Sequence, residues 1–207
     1  MLDKGVMYRS GDALSSFAAL SCYNEQLSKE VRVAAHSALE LFGFNHYVPM
    51  GKPILMVACP NSSVPKWMLS NRFDRTIKPF STKMIDEPQT SIVQADGVDV
   101  LISAPEQAFM ECLLLAPRQY DYMDLYYIME QLTSLRAEVV QILLENVKNL
   151  RVKRLFLYMA EKAGHYWFDM LNRDKINIGT SKQQLVNNGT YMSKYKITIP
   201  KELVEYE

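Results

Sequence analysis

Between Pro105 and Gly164 four amphipathic segments follow one another with only short polar links, and this succession limits what the chain can fold into. Pro105 suits the first position of a helix and Glu106 its first turn. Phe109, Met110, Cys112, Leu113 and Leu114 then make an almost wholly apolar helix, ended near Ala116 by Pro117. Asp121 to Leu132 reads as a second helix and Ser134 to Val147 as a third. In the fourth, Val152, Leu155, Phe156, Met159, Ala160 and Ala163 recur at helical spacing up to a capping Gly164. Helices joined this closely pack as a bundle or as antiparallel hairpins.

Upstream, Pro53 to Cys59 is a continuous apolar run, the mark of a strand buried on both faces. Arg72 to Phe80 and Ser91 to Gln94 read as extended. Asp96-Gly97 signals a tight hairpin turn into a strand over Val98–Ile102. Before these, Gly5–Gly11 reads as a strand, and Asp12 as the cap of a helix to about Ser21. Asn24–Ser28 reads as a loop, Val31–Val33 as a short strand, and Ala34–Phe42 as a helix with Gly43 at C′. Lys66–Ser70 suggests a single helical turn. After Gly164 the alternation Y-K-I-T-I from Tyr195 to Ile199 and the turn Asn187-Asn188-Gly189 suggest a β-hairpin. The expected class is α+β: a small central sheet, a bundle of about four helices and a C-terminal β-hairpin. The sheet-containing part spans residues 12–103 and the helical and basic part 104–207.

Zero net charge hides an uneven distribution. Residues 148–201 hold eleven Lys and Arg against Glu161, Asp169 and Asp174, whereas residues 1–147 and the last six residues are acidic overall. Arg151, Lys153 and Arg154 crowd the start of the fourth helix, where the helix dipole disfavours cations. On an alternating strand Lys194 and Lys196 share one face. A polyanion surface built from Lys148, Arg151, Lys153, Arg154, Lys162, Lys182, Lys194 and Lys196 is therefore the candidate site, with a solvated basic face as the plain alternative.

Other chemistry finds little support. Cys22, Cys59 and Cys112 are odd in number, widely spaced and set among apolar neighbours, as in a reduced cytoplasmic protein. His36, His46 and His165 form no paired-ligand motif, and no glycine-rich nucleotide cradle is present, so no metal or cofactor is expected. Ser63-Val64-Pro65-Lys66 matches S-x-x-K without its partner motifs. Asp96 and Asp99 flank a hairpin as nuclease carboxylates do, but no Asp or Glu is followed two residues later by Lys. Catalysis is not expected. No apolar run reaches membrane-spanning length.

Four blocks carry a resemblance: H-S-A-L-E-L-F-G-F-N-H-Y-V-P-M-G (36–51), A-P-E-Q-A-F-M-E-C-L-L-L-A-P (104–117), V-K-R-L-F-L-Y-M-A-E-K-A-G-H-Y-W (152–167) and S-K-Y-K-I-T-I-P-K-E-L (193–203). In that order the chain resembles the AbiEi family, antitoxins of the type IV, abortive-infection AbiE systems. The resemblance implies a repressor that binds inverted repeats in its own operator and antagonises a nucleotidyltransferase-type toxin without a stable toxin complex. Such proteins usually join a winged helix-turn-helix to a C-terminal antitoxin domain. This chain is expected to be the second part alone, with residues 1–11 a remnant of the wing and linker and the recognition helix missing. The basic residues named above are then expected to support operator binding. A module meeting an acidic toxin surface directly, and a nuclease-like enzyme, remain as alternatives.

Overall fold

The computed structural model describes residues 15–44, 51–60 and 64–206. The expected Gly5–Gly11 strand, Asp12, His46 and Ser63 lie outside them. The fold is α+β, as the sequence indicates, and the chain divides into two compact units: residues 1–83 with 88–108, and residues 84–87 with 109–207.

The first unit is built on a five-stranded sheet of order β3-β2-β1-β5-β4. The strands are β1 (Arg32–Val33), β2 (Ile54–Cys59), β3 (Thr76–Ser81), β4 (Thr90–Ala95) and β5 (Val98–Ser103). Strand β1 pairs antiparallel with β2 and parallel with β5, so two residues hold the centre of the sheet. Residues 55–59 are all buried, as the apolar run requires. Asp96 and Gly97 both take positive φ, 49° and 77°, which gives the β4–β5 hairpin its tight turn. Helix α1 covers Ser16–Leu27 rather than ending near Ser21, and Ser15 caps it by accepting from Ala18 N. The polar Asn24 does not break this helix, because its side-chain amide makes both bonds to the backbone of Val31, at 2.6 and 3.0 Å. Helix α2 (Ala35–Leu41) ends in the Schellman pattern: Gly43 N bonds Glu40 O and Phe44 N bonds Leu39 O, both at 2.9 Å.

Helix α3 (Pro105–Leu115) starts in the first unit and continues in the second. There α4 (Tyr122–Gln131), α5 (Ala137–Asn146) and α6 (Leu150–Ala163) follow. Asp121 caps α4 by accepting from Met123 N at 2.8 Å. The third helix begins at Ala137 rather than Ser134, with no side-chain cap. Short helices α7 (Tyr166–Asp169) and α8 (Lys201–Glu205) had no sequence signal of their own. The expected C-terminal hairpin is β7 (Thr190–Met192) with β8 (Ile197–Ile199), and β6 (Gln183–Gln184) adds parallel to β8 to make a three-stranded sheet. Lys194 and Lys196 lie in the β7–β8 turn, and Lys196 has φ 54°. That left-handed residue breaks the alternation from which a shared lysine face was expected.

Candidate nucleic-acid interface

Helix α6 is the basic segment's rigid part. Asn149 caps it by accepting from Arg151 N and Val152 N, at 3.0 and 3.2 Å, and Gly164 ends it at φ 68°. Residues 152–160 are all buried, so the apolar stripe is core and the cations between its members are drawn inward with it.

Arg151 donates to Ala116 O and Leu114 O, both at 2.7 Å. These carbonyls belong to the end of α3, the negative pole of that helix, so Arg151 neutralises a helix end while starting another. Arg154 is 1% exposed. Its Nε donates to Ile178 O at 2.8 Å and its Nη1 to Lys196 O at 3.0 Å, while Nη2 has no protein partner among the described residues. Lys153 is 3% exposed, and burial pulls its ammonium below the ordinary lysine range, against an opposing pull from Glu145. Lys162 donates to the carbonyls of Val204 and Tyr206 and lies over the Tyr126 ring at 5.6 Å. Arg151, Arg154 and Lys162 therefore hold main-chain oxygens of this unit, and Lys153 is buried.

The others fall into two places. Lys148 is exposed and paired with the more exposed Asp86 at 2.5 Å. Lys182, Lys194 and Lys196 gather at one end of the three-stranded sheet. The parallel register Gln183↔Ile197 sets Lys182 beside Lys196, and Gln183 N bonds Lys196 O at 2.9 Å. Lys182 lies over the Tyr191 ring at 5.2 Å, and Lys196 Nζ donates to Gly179 O at 3.0 Å. Gly179, at φ 72°, lets its loop rest on the Arg154 guanidinium: a Cβ there would stand 2.7 Å from Leu150 Cδ1 and 3.3 Å from Arg154 Nη2. Lys194 pairs with Glu161, which also accepts from Tyr195 OH at 2.8 Å and faces Arg173 at 3.9 Å. Burial raises the Glu161 carboxyl, but Lys194, Tyr195 and Arg173 together outweigh it and hold it below the usual carboxylate range. Burial, reinforced by the bond to Glu161, pushes the Tyr195 hydroxyl well up.

Sequence reasoning passed over Arg173 and Lys175, two further exposed cations of this unit, because they sit in a 3-10 turn without a periodic pattern. An open recess of about 600 Å³ lies between Asp121–Met123, Asn187–Gly189 and Pro200–Glu202, with Asp121, Lys201 and Glu202 in its lining. The two hairpin carboxylates have different partners. Asp96 accepts from Ser15 and Arg75, and Asp99 accepts from Gln94. Among the described residues no group of three or more His, Cys, Asp and Glu is arranged to hold a metal ion.

Comparison with known proteins bears on these observations. A family model described as "Transcriptional regulator, AbiEi antitoxin, Type IV TA system" matches residues 52–200. A second, described as "Transcriptional regulator, AbiEi antitoxin N-terminal domain", matches residues 1–50. The N-terminal domain is therefore present, and the expectation that residues 1–11 are the remnant of a missing one is overturned. In its described part β1 is a strand of the central sheet, and α1 and α2 pack on that sheet's strands. No curated protein matches the chain. Among solved structures, the crystal structure of the RV2827C protein from Mycobacterium tuberculosis is similar, with TM-score 0.64 and 13% identity over 90% of this chain and 68% of that one. At that identity the likeness is one of fold.

Proposed function

Since the chain belongs to the AbiEi family of type IV toxin–antitoxin transcriptional regulators, we propose that it neutralises a nucleotidyltransferase-type toxin in the cytoplasm and represses its own operon at inverted repeats. The observation that carries the reading is the pair of family matches, which together run from residue 1 to residue 200. The proposal assigns no catalytic step and no cofactor to the chain. Direct contact with duplex phosphates falls to Lys182, Lys194 and Lys196 at the sheet end, with Lys148 beside Asp86 as an outlying contact. Arg154 acts behind them, holding the carbonyls of Ile178 and Lys196, whereas Arg151 and Lys162 hold other parts of the unit and Lys153 is buried. The grouping of three lysines by strand register supports this division of labour.

Two measurements test it. Co-expression with the proposed cognate nucleotidyltransferase restores growth, and continued arrest sinks the antitoxin reading. Binding to duplex DNA from upstream of its gene weakens with salt, and Lys182→Ala with Lys194→Ala reduces the log–log salt slope by about 1.8, at roughly 0.9 per phosphate contact. An unchanged slope removes the sheet end from the interface.

A further inference from the structure

The five-stranded sheet has two edges, and they are finished differently. Edge strand β3 carries Lys78 and Pro79, residue types that discourage a further strand. Edge strand β4 reads T-S-I-V-Q-A, with no charge and no proline in a chain that is 22% charged. Its exposure alternates: Thr90, Ile92 and Gln94 are exposed, and Ile92 is 68% exposed. The ladder to β5 shows which main-chain groups are left over. Ala104 N bonds Gln89 O at 2.9 Å, so in this antiparallel register 91/102, 93/100 and 95/98 are hydrogen-bonded pairs as well. The amides and carbonyls of Thr90, Ile92 and Gln94 therefore point away from β5. Among the described residues no strand lies beyond them.

We propose that two copies of the chain join at this edge, their β4 strands antiparallel about a two-fold axis at Ile92. A strand from any protein fits an open edge, but the sequence of β4 selects a second copy. With Ile92 opposite the partner's Ile92, Thr90 falls opposite the partner's Gln94. No other antiparallel register pairs all three outward-facing residues with one another. Isoleucine then meets isoleucine, polar meets polar, and no like charges stand opposite. One step further out, Pro88 falls opposite the partner's Asp96, and its missing N–H ends the ladder at both ends. The same patch meets itself, as a two-fold interface requires. A contact one short strand wide is small, so the dimer is weak and forms with concentration. The proposal rests on neither the toxin nor the DNA reading.

Sedimentation of the full chain over a wide concentration range, with hydrogen exchange at its two ends, tests this. A reversible monomer–dimer equilibrium is expected. The amides of Thr90, Ile92 and Gln94 exchange slowly at high concentration and fast at low, while Ser91 and Val93, bonded to β5, are slow at both. Ile92→Lys sets two ammonium groups opposite each other and raises the dimer Kd by about tenfold or more. Leu69→Lys, at another exposed apolar residue outside β4, leaves the Kd unchanged. Both side chains are exposed, so both variants keep the parent's circular dichroism. A chain that stays monomeric throughout overturns the proposal. So does a dimer that Ile92→Lys does not weaken, or one whose edge amides remain fast. Slow exchange of those amides in the dilute monomer also overturns it, since a segment of the same chain then covers the edge.

Discussion

Arg151 and Arg154 stand three residues apart on α6 and each gives two nitrogens to main-chain oxygens, which a guanidinium fork does and a lysine does not. Arg154→Ala leaves the carbonyls of Ile178 and Lys196 without a donor in a buried site and opens a large void. It lowers stability by about 3–4 kcal/mol in denaturant unfolding. Arg151→Ala costs about 1–3 kcal/mol, whereas exposed Lys182→Ala stays within about 0.5 kcal/mol. A joint alanine replacement of Arg151, Lys153 and Arg154 therefore reports folding before it reports DNA binding. These cations were plain in the sequence, but their acceptors lie 24 to 42 residues away, where no local pattern points to them. Two titrations follow at the same scale. Lys153 holds its proton less firmly folded than unfolded, so stability gains as pH rises from its lowered pKa towards the ordinary value of 10.5. Lys153→Met is more stable than the parent at neutral pH, and the gap narrows as pH climbs towards that value. His36 is lowered from 6.5 to about 4 by burial and then by Lys78. Unfolded chain binds that proton first on acidification, so up to about 3 kcal/mol is lost between pH 6.5 and about 4. His36→Gln lacks that fall, and equal slopes for parent and variant across the window refute the assignment.

Elements were legible where one local force dominates. The apolar run of β2, the Asp96-Gly97 turn and the Gly43 and Gly164 helix ends all stand where periodicity and turn chemistry put them. Elements fixed by distant partners were not. Helix α1 outlasts its polar end because Asn24 finds Val31, and β6 is a strand only because β8 runs beside it. The candidate site divides in the same way. Its lysines were visible, but their gathering at one sheet end depends on a register that involves two-residue β6. Helix α6 shows how much a cap contributes against an adverse charge pattern. Three cations oppose its dipole, and Asn149 answers with two bonds to first-turn amides. Asn149→Ala lowers stability by about 1 kcal/mol, read as a shift in unfolding midpoint, while Asn149→Asp holds it through a charged acceptor. A null effect of the alanine shows that the packing of residues 152–160 sets the helix start unaided.

At the scale of the whole molecule, the division drawn by family similarity and the one drawn by packing do not coincide. Similarity breaks the chain near residue 51, between the matches over 1–50 and 52–200. Packing keeps residues on both sides of that point in one sheet, because β1 from the N-terminal match lies between β2 and β5 from the other. Val33 is fully buried there and Ala34 N bonds Met56 O at 3.0 Å. A chain beginning at residue 51 thus loses the centre of a sheet rather than an appendage. Strands β2 and β5 are left with unpaired inner edges, which invite aggregation and lose the ladder that protects their amides. The second unit keeps its own buried residues, Phe109, Phe156 and Trp167 among them. Hydrogen exchange on the shortened chain therefore shows fast exchange at Leu55–Ala58 and Val100–Ile102 while α6 stays protected. Slow exchange across both strands means that residues 1–50 form a separable domain, as the similarity boundary implies, and that β1 adds little to the sheet it occupies.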